Sequence, residues 1–131
     1  MNSTSMKTRT RAFALRIIRL VAVLPNTPAG RVIATQLCKA GTSVGANYRS
    51  ACRARSKTEF IARMGVVEEE ADESGYWLEL LADSNMVDPK LISGLLDEAN
   101  AITAIVAASR KTAKATGISN GSKSKIGNRQ S

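Results

Sequence analysis

Between Ala40 and Phe60 the chain reads AGTSVGANYRSACRARSKTEF, and its two glycines, Gly41 and Gly45, set the hardest condition on the fold. The residues around them have helical periodicity, yet glycine inside a helix costs roughly 1 kcal/mol relative to alanine. Two glycines four apart stand one above the other on a single helix face. A missing side chain lets a neighbouring backbone come close, and that contact offsets the loss. The stretch therefore predicts a continuous helix packed tightly on a neighbour along Gly41 and Gly45. The alternative is a helix that ends at Gly41, with Thr42 or Ser43 as the next N-cap.

Apolar spacing predicts four helices. The first covers 5–24, where Phe13, Ile17, Leu20 and Leu24 form one stripe. Pro25 ends it, because the residue before a proline avoids helical geometry. Thr27 and Pro28 read as an N-cap followed by proline at the first helical position, opening a second helix over 28–54. Its stripe is Ile33, Leu37, Ala40, Val44, Asn47 and Ala51, with Asn47 a polar residue in need of a partner. Ser56-Lys57-Thr58-Glu59 is a capping box and opens a third helix that reaches Ser84. Phe60, Met64, Val67, Ala71, Ser74, Leu78 and Leu81 keep a heptad rhythm along it. Asp88-Pro89 repeats the cap signal for a fourth helix to Thr116, striped by Ile92, Leu95, Ala99, Ile102 and Val106.

Four helices with short connections pack up-down-up-down, so the expected fold is an all-α, antiparallel four-helix bundle over residues 1–116. From Gly117 to Ser131 the composition turns to Gly, Ser, Asn and Lys without apolar periodicity, which predicts a disordered basic tail. The apolar stripes of the first two helices are wider than one bundle core needs, and the excess is expected to serve self-association.

Composition narrows the chemistry. Of 131 residues, 44% are hydrophobic, yet the aromatic residues are only Phe13, Tyr48, Phe60, Tyr76 and Trp77. No uninterrupted apolar run reaches the ~18 residues of a membrane span, so no membrane partner is expected. Arg16 and Arg19 interrupt the apolar stretch 12–24 and no small-residue cleavage site follows, which argues against a secretory signal. Cys38 and Cys52 on one helix stand roughly 21 Å apart along its axis, too far to bridge. Unpaired cysteines fit a reducing cytoplasm. Histidine is absent, which removes the commonest general base and metal ligand. Ser43, Cys38 and Cys52 thus lack the usual activating partner of a nucleophile. No enzyme activity, metal or cofactor is expected.

Charge is segregated along the chain. Residues 1–58 carry eleven Lys and Arg and no acid; residues 59–98 carry eleven acids and two bases; the remainder carries six bases, for a net charge of +8. Arg9, Arg16, Arg19, Arg31, Arg49, Arg53, Arg55 and Lys57 are the candidate phosphate contacts for RNA or DNA. Each is alternatively a solvated or salt-bridged surface residue, and the acidic third helix could neutralise the first two inside the bundle or across subunits. No base-reading motif accompanies them, so binding would be backbone-directed and salt-sensitive.

The segments LPNTPAGRVIATQLCKAGTSVGANYRSACRARSKTEFIARM and EEADESGYWLELL resemble the four-helix-bundle family encoded in intervening sequences of bacterial 23S ribosomal RNA genes. The resemblance covers residues 12–114 and rests on Gln36-Leu37, Gly41 to Asn47, Ala54 to Phe60 and Tyr76 to Leu81. It implies an antiparallel bundle assembled as a homopentamer, without known enzymatic activity. The chain is also similar to the accessory proteins of diversity-generating retroelements, basic pentameric barrels that bind a reverse transcriptase and nucleic acid. That likeness implies an adaptor for a reverse-transcriptase-like protein as a second reading. The chain departs from the family pattern at Ala40, where serine is common, at Ser50, where glutamate is usual, and at Glu69, where lysine is frequent.

Overall fold

The computed structural model of the chain describes residues 2–123, with side chains through Thr116. It is all-helical among those residues: α1 spans Ser3–Val21, α2 Pro28–Cys52, α3 Lys57–Asp83 and α4 Ser93–Lys123, with a short 3₁₀ turn over Pro89–Leu91. Consecutive helices run antiparallel, giving the up-down-up-down bundle. The α1–α2 and α3–α4 connections lie at one end, and the α2–α3 turn lies at the other.

Each helix start follows local chemistry. The Asn2 side chain accepts the Ser5 N–H, Thr27 accepts that of Gly30, and Ser56 accepts that of Glu59. Each contact satisfies an otherwise orphaned donor of a first turn. Asp88 caps as expected, accepting from the Lys90 N–H at 3.0 Å, but the turn it opens is 3₁₀ rather than α. Leu91 and Ile92 donate to Asp88 and Pro89, three residues back, and α4 proper begins at Ser93. The end of α1 tightens in the same way, Val23 and Leu24 donating to Leu20 and Val21, so the α-helix stops at Val21, short of Leu24. At the other extreme α4 continues past Gly117 to Lys123, and the rest of the expected tail, 124–131, lies outside the described residues.

The core is one apolar seam. Phe13 and Ile17 of α1, Leu37 and Val44 of α2, Met64, Val67, Leu78 and Leu81 of α3, and Ile92, Ile102 and Val106 of α4 are all buried together. Burying a side chain of this size contributes about 1.5–3 kcal/mol each relative to exposure. Pro89–Thr116 is long and apolar enough to cross a membrane by length and composition, while its stripe of Ile92, Leu95, Ala99, Ile102 and Val106 forms part of this seam.

The glycine stretch is continuous helix. A Cβ on Gly41 would stand 2.8 and 2.9 Å from the two γ-carbons of Ile17, and one on Gly45 would stand 3.3 Å from the Thr10 hydroxyl and 3.5 Å from its backbone. α1 therefore lies directly on the glycine face of α2. One stripe position differs from expectation. Tyr48, 2% exposed, fills the core beside Val44 and Ala51, while half-buried Asn47 donates its side-chain amide to the Ser43 carbonyl of its own helix. Asn47 thus finds one partner within its own helix. Burial, with Cys52 as a neighbour, pushes the Tyr48 hydroxyl well above its usual value and keeps it neutral.

Candidate nucleic-acid interface

The bundle sorts the basic residues by position. Arg16, Arg19 and Arg31 flank the α1–α2 connection, whereas Arg49, Arg53, Arg55 and Lys57 flank the α2–α3 turn at the opposite end. All of these are exposed except Lys57, which is half-buried as the first residue of α3. Arg31 donates to the Asn26 side chain at 3.0 Å, steadying the loop it leaves.

Arg9 is engaged within the chain. Its Nε donates to Glu98 Oε2 at 2.7 Å and its terminal amino group to Oε1 at 2.8 Å, a two-pronged pair between α1 and α4. The Arg9 hydrogen bond holds the Glu98 carboxyl below its ordinary value against the opposing effect of burial, and Arg16 adds to the same field. The Arg16 guanidinium lies 3.2 Å from where a Cβ on Gly94 would stand, so it also rests on the first turn of α4.

On the other flank of α1 the cations have no such partner. Lys7, Arg11 and Arg49 line a groove of about 410 Å3 between α1 and α2, floored by Ala14, Gly45 and Ala46. The small floor residues follow from the close helix approach at Gly45. None of the three cations makes a side-chain hydrogen bond or ion pair among the described residues. Lys7 and Arg11 are not among the candidates that the sequence singles out. The available signal is their i, i+4 spacing on α1 beside Ala14, which acquires meaning only once α1 is placed antiparallel to the C-terminal half of α2.

A second basic concavity sits at the α2–α3 turn. Arg53, Arg55 and Arg63 line a pocket of about 410 Å3 with Ser50 and Glu59. The capping box builds it. Glu59 accepts the Arg55 backbone N–H through Oε1 at 3.1 Å and the Arg63 Nε through Oε2 at 2.9 Å. The Arg55 N–H, and then Arg63, hold the Glu59 carboxyl below its usual range, so it stays ionised. The side chains of Arg53 and Arg55 remain unpaired among the described residues.

The acidic surface lies elsewhere. Glu69, Asp72, Glu73, Glu79 and Asp83 are exposed on α3, and Glu68 reaches Arg110 of α4 at 3.7 Å. Burial and the neighbouring Glu73 raise the Glu70 carboxyl, partly countered by Lys39 of α2. Tyr76, 53% exposed, meets Trp77 edge-on at 5.0 Å, and the Trp77 indole donates to Glu73. The third helix thus neutralises few of the cations of the first two within the chain. Cys38 and Cys52 are free and half-buried, and no cluster of metal-ligating side chains occurs among the described residues.

Comparison with known proteins agrees with this architecture. No functionally curated protein matches the chain. Among solved structures, the crystal structure of a Bacteroides thetaiotaomicron protein of unknown function from the S23 ribosomal protein family is similar. It is 31% identical, with a TM-score of 0.77, and the alignment covers 85% of this chain and 99% of that one. The sequence model of the 23S rRNA-intervening sequence protein family matches residues 3–108. With that match spanning most of the bundle, the chain belongs to the 23S rRNA-intervening sequence protein family.

Proposed function

We propose that the chain is a non-catalytic, oligomeric nucleic-acid-binding or accessory protein, assembled as a homopentamer and working in the cytoplasm. The observation that carries this reading is the cluster of unpaired cations at one end of the bundle. Lys7, Arg11, Arg49, Arg53 and Arg55 stand exposed and make no side-chain ion pair among the described residues, although the chain holds eleven carboxylates. A surface of this kind contacts phosphate and releases counterions, giving affinity without sequence readout. Small residues between α1 and α2 leave a groove of about 410 Å3 between the cations.

Mass measurement in solution, with and without added RNA or DNA, reads assembly and binding together. The expected result is a pentamer that binds either polyanion, with about a tenfold loss of affinity between low and moderate salt. No measurable binding at low salt refutes the nucleic-acid reading.

Tyr76 and Trp77 favour a second reading. Exposed Tyr76 stands beside half-buried Trp77 among carboxylates that repel nucleic acid, a surface that suits a cationic protein. This fits an adaptor for a reverse-transcriptase-like partner that makes no direct nucleic-acid contact. Charge reversal at Arg49 and Arg53 separates the two. Loss of nucleic-acid binding with the assembly intact supports the first; a wild-type chain that captures the partner without binding nucleic acid, and a variant that captures it equally, supports the second.

A further inference from the structure

The pocket at the α2–α3 turn differs from the α1–α2 groove in one respect: a carboxylate within it holds its cations in place. Arg53 closes α2, Arg55 occupies the turn and Arg63 projects from the second turn of α3, yet all three line the same space, with Ser50. The convergence is fixed by Glu59, which ties the Arg55 backbone and the Arg63 Nε to the start of α3. Only the Nε of Arg63 is used, leaving its terminal amino groups available beside two wholly unpaired guanidinium groups. Three guanidinium groups and one carboxylate leave a net charge of +2 in the pocket.

An internal phosphodiester offers a single negative charge, whereas a phosphate monoester carries about −1.5 to −2 at pH 7 and three acceptor oxygens. Planar guanidinium groups donate in pairs to such oxygens. We propose that this pocket binds a phosphate monoester, with Arg53, Arg55 and Arg63 as its ligands and Ser50 as an additional donor. It takes the terminal phosphate of a nucleic-acid strand, and in this form the inference rests on the polyanion reading above. A free small phosphate has the same chemistry, and the test distinguishes the two.

The full chain is titrated with two single-stranded oligonucleotides of one sequence, bearing either a 5′-phosphate or a 5′-hydroxyl, and separately with inorganic phosphate. The phosphorylated strand should bind about tenfold more tightly. The preference, read as the ratio of the two affinities, should vanish in Arg53→Gln/Arg55→Gln, even as both strands bind that variant more weakly than the wild type. Equal affinity for the two strands, or a preference that survives the double substitution, overturns the proposal. If neither strand binds but inorganic phosphate shifts the arginine Nε–H resonances of the wild type and not of the variant, the pocket stands as a small-phosphate site and the polyanion reading falls. If inorganic phosphate also leaves those resonances unmoved, both fall. Both substitutions replace exposed side chains, so circular dichroism of the variant should match that of the wild type.

Discussion

The two flanks of α1 carry similar cations and use them differently. Toward α4, Arg9 grips Glu98 and Arg16 lies over Gly94. Toward α2, Lys7 and Arg11 face Arg49 across a groove with no carboxylate in its lining. The cause is the neighbour rather than the arginines. α4 carries Asp97 and Glu98 near its start, whereas α2 carries no acid at all. Packing differs to match: α1 lies closely along the glycine face of α2 but touches α4 only lightly. One flank is therefore held by close packing and leaves its cations free, while the other uses cations to hold it.

The harshest way to break this contrast is to push α1 off α2. Gly41→Ala places a Cβ 2.8 Å from a γ-carbon of buried, branched Ile17, which has no room to swing aside. The clash should outweigh the roughly 1 kcal/mol that alanine adds in helix propensity. A net loss of about 2 kcal/mol is expected from denaturant unfolding. Gly45→Ala is the internal control, since its nearest contact is the Thr10 hydroxyl at 3.3 Å. That substitution should fall within about 0.5 kcal/mol of the wild type, propensity and crowding nearly cancelling. Equal losses at both positions would mean that the glycines serve something other than this close approach.

The contrast sharpens in binding. Reversing Lys7, Arg11 and Arg49 to glutamate removes three cations from the groove without taking a partner from any acid. Polyanion affinity should fall about 20-fold or more, and the slope of log affinity against log salt should shrink by about 0.9 for every duplex phosphate left unneutralised. Unfolding stability should stay within about 0.5 kcal/mol, because the residues are surface groups. Arg9→Gln, on the other flank, should change polyanion affinity by no more than about twofold. Titration of each variant with a fluorescent duplex at several salt concentrations reads both numbers.

Which of these features can be read from the sequence depends on how local their causes are. The cap residues Thr27 and Ser56 and the continuous helix through Gly41 and Gly45 act within a few residues, and the structure places them as the sequence indicates. Tyr48 is harder. It and Asn47 are 100° apart on the helix, on either side of the stripe, and only the position of the core axis decides which is buried. The roles of the arginines are least legible. Arg9 and Glu98 lie 89 residues apart, so their pairing requires knowing that α1 sits beside α4. The same holds for Arg63, whose place in an otherwise acidic segment hides its convergence with Arg53 and Arg55 at the turn.

A smaller effect than the clash at Gly41 belongs to the α4 flank and is the most diagnostic of mechanism. Glu98 is partly buried and paired in two-pronged fashion, so Glu98→Gln should cost about 1 kcal/mol at pH 7. The folded-state carboxyl lies below its ordinary value, which means that the unfolded chain binds the proton more readily. The pair's contribution is thus fully present above the ordinary glutamate pKa of about 4.3 and fades as pH falls through the lower folded-state value. Wild type and Glu98→Gln should differ in stability at neutral pH and converge as pH falls through the lowered folded-state value, as read by urea unfolding across the acid range. A gap that persists in acid would assign Glu98 a packing role rather than an electrostatic one, and the two flanks of α1 would then be held by the same means.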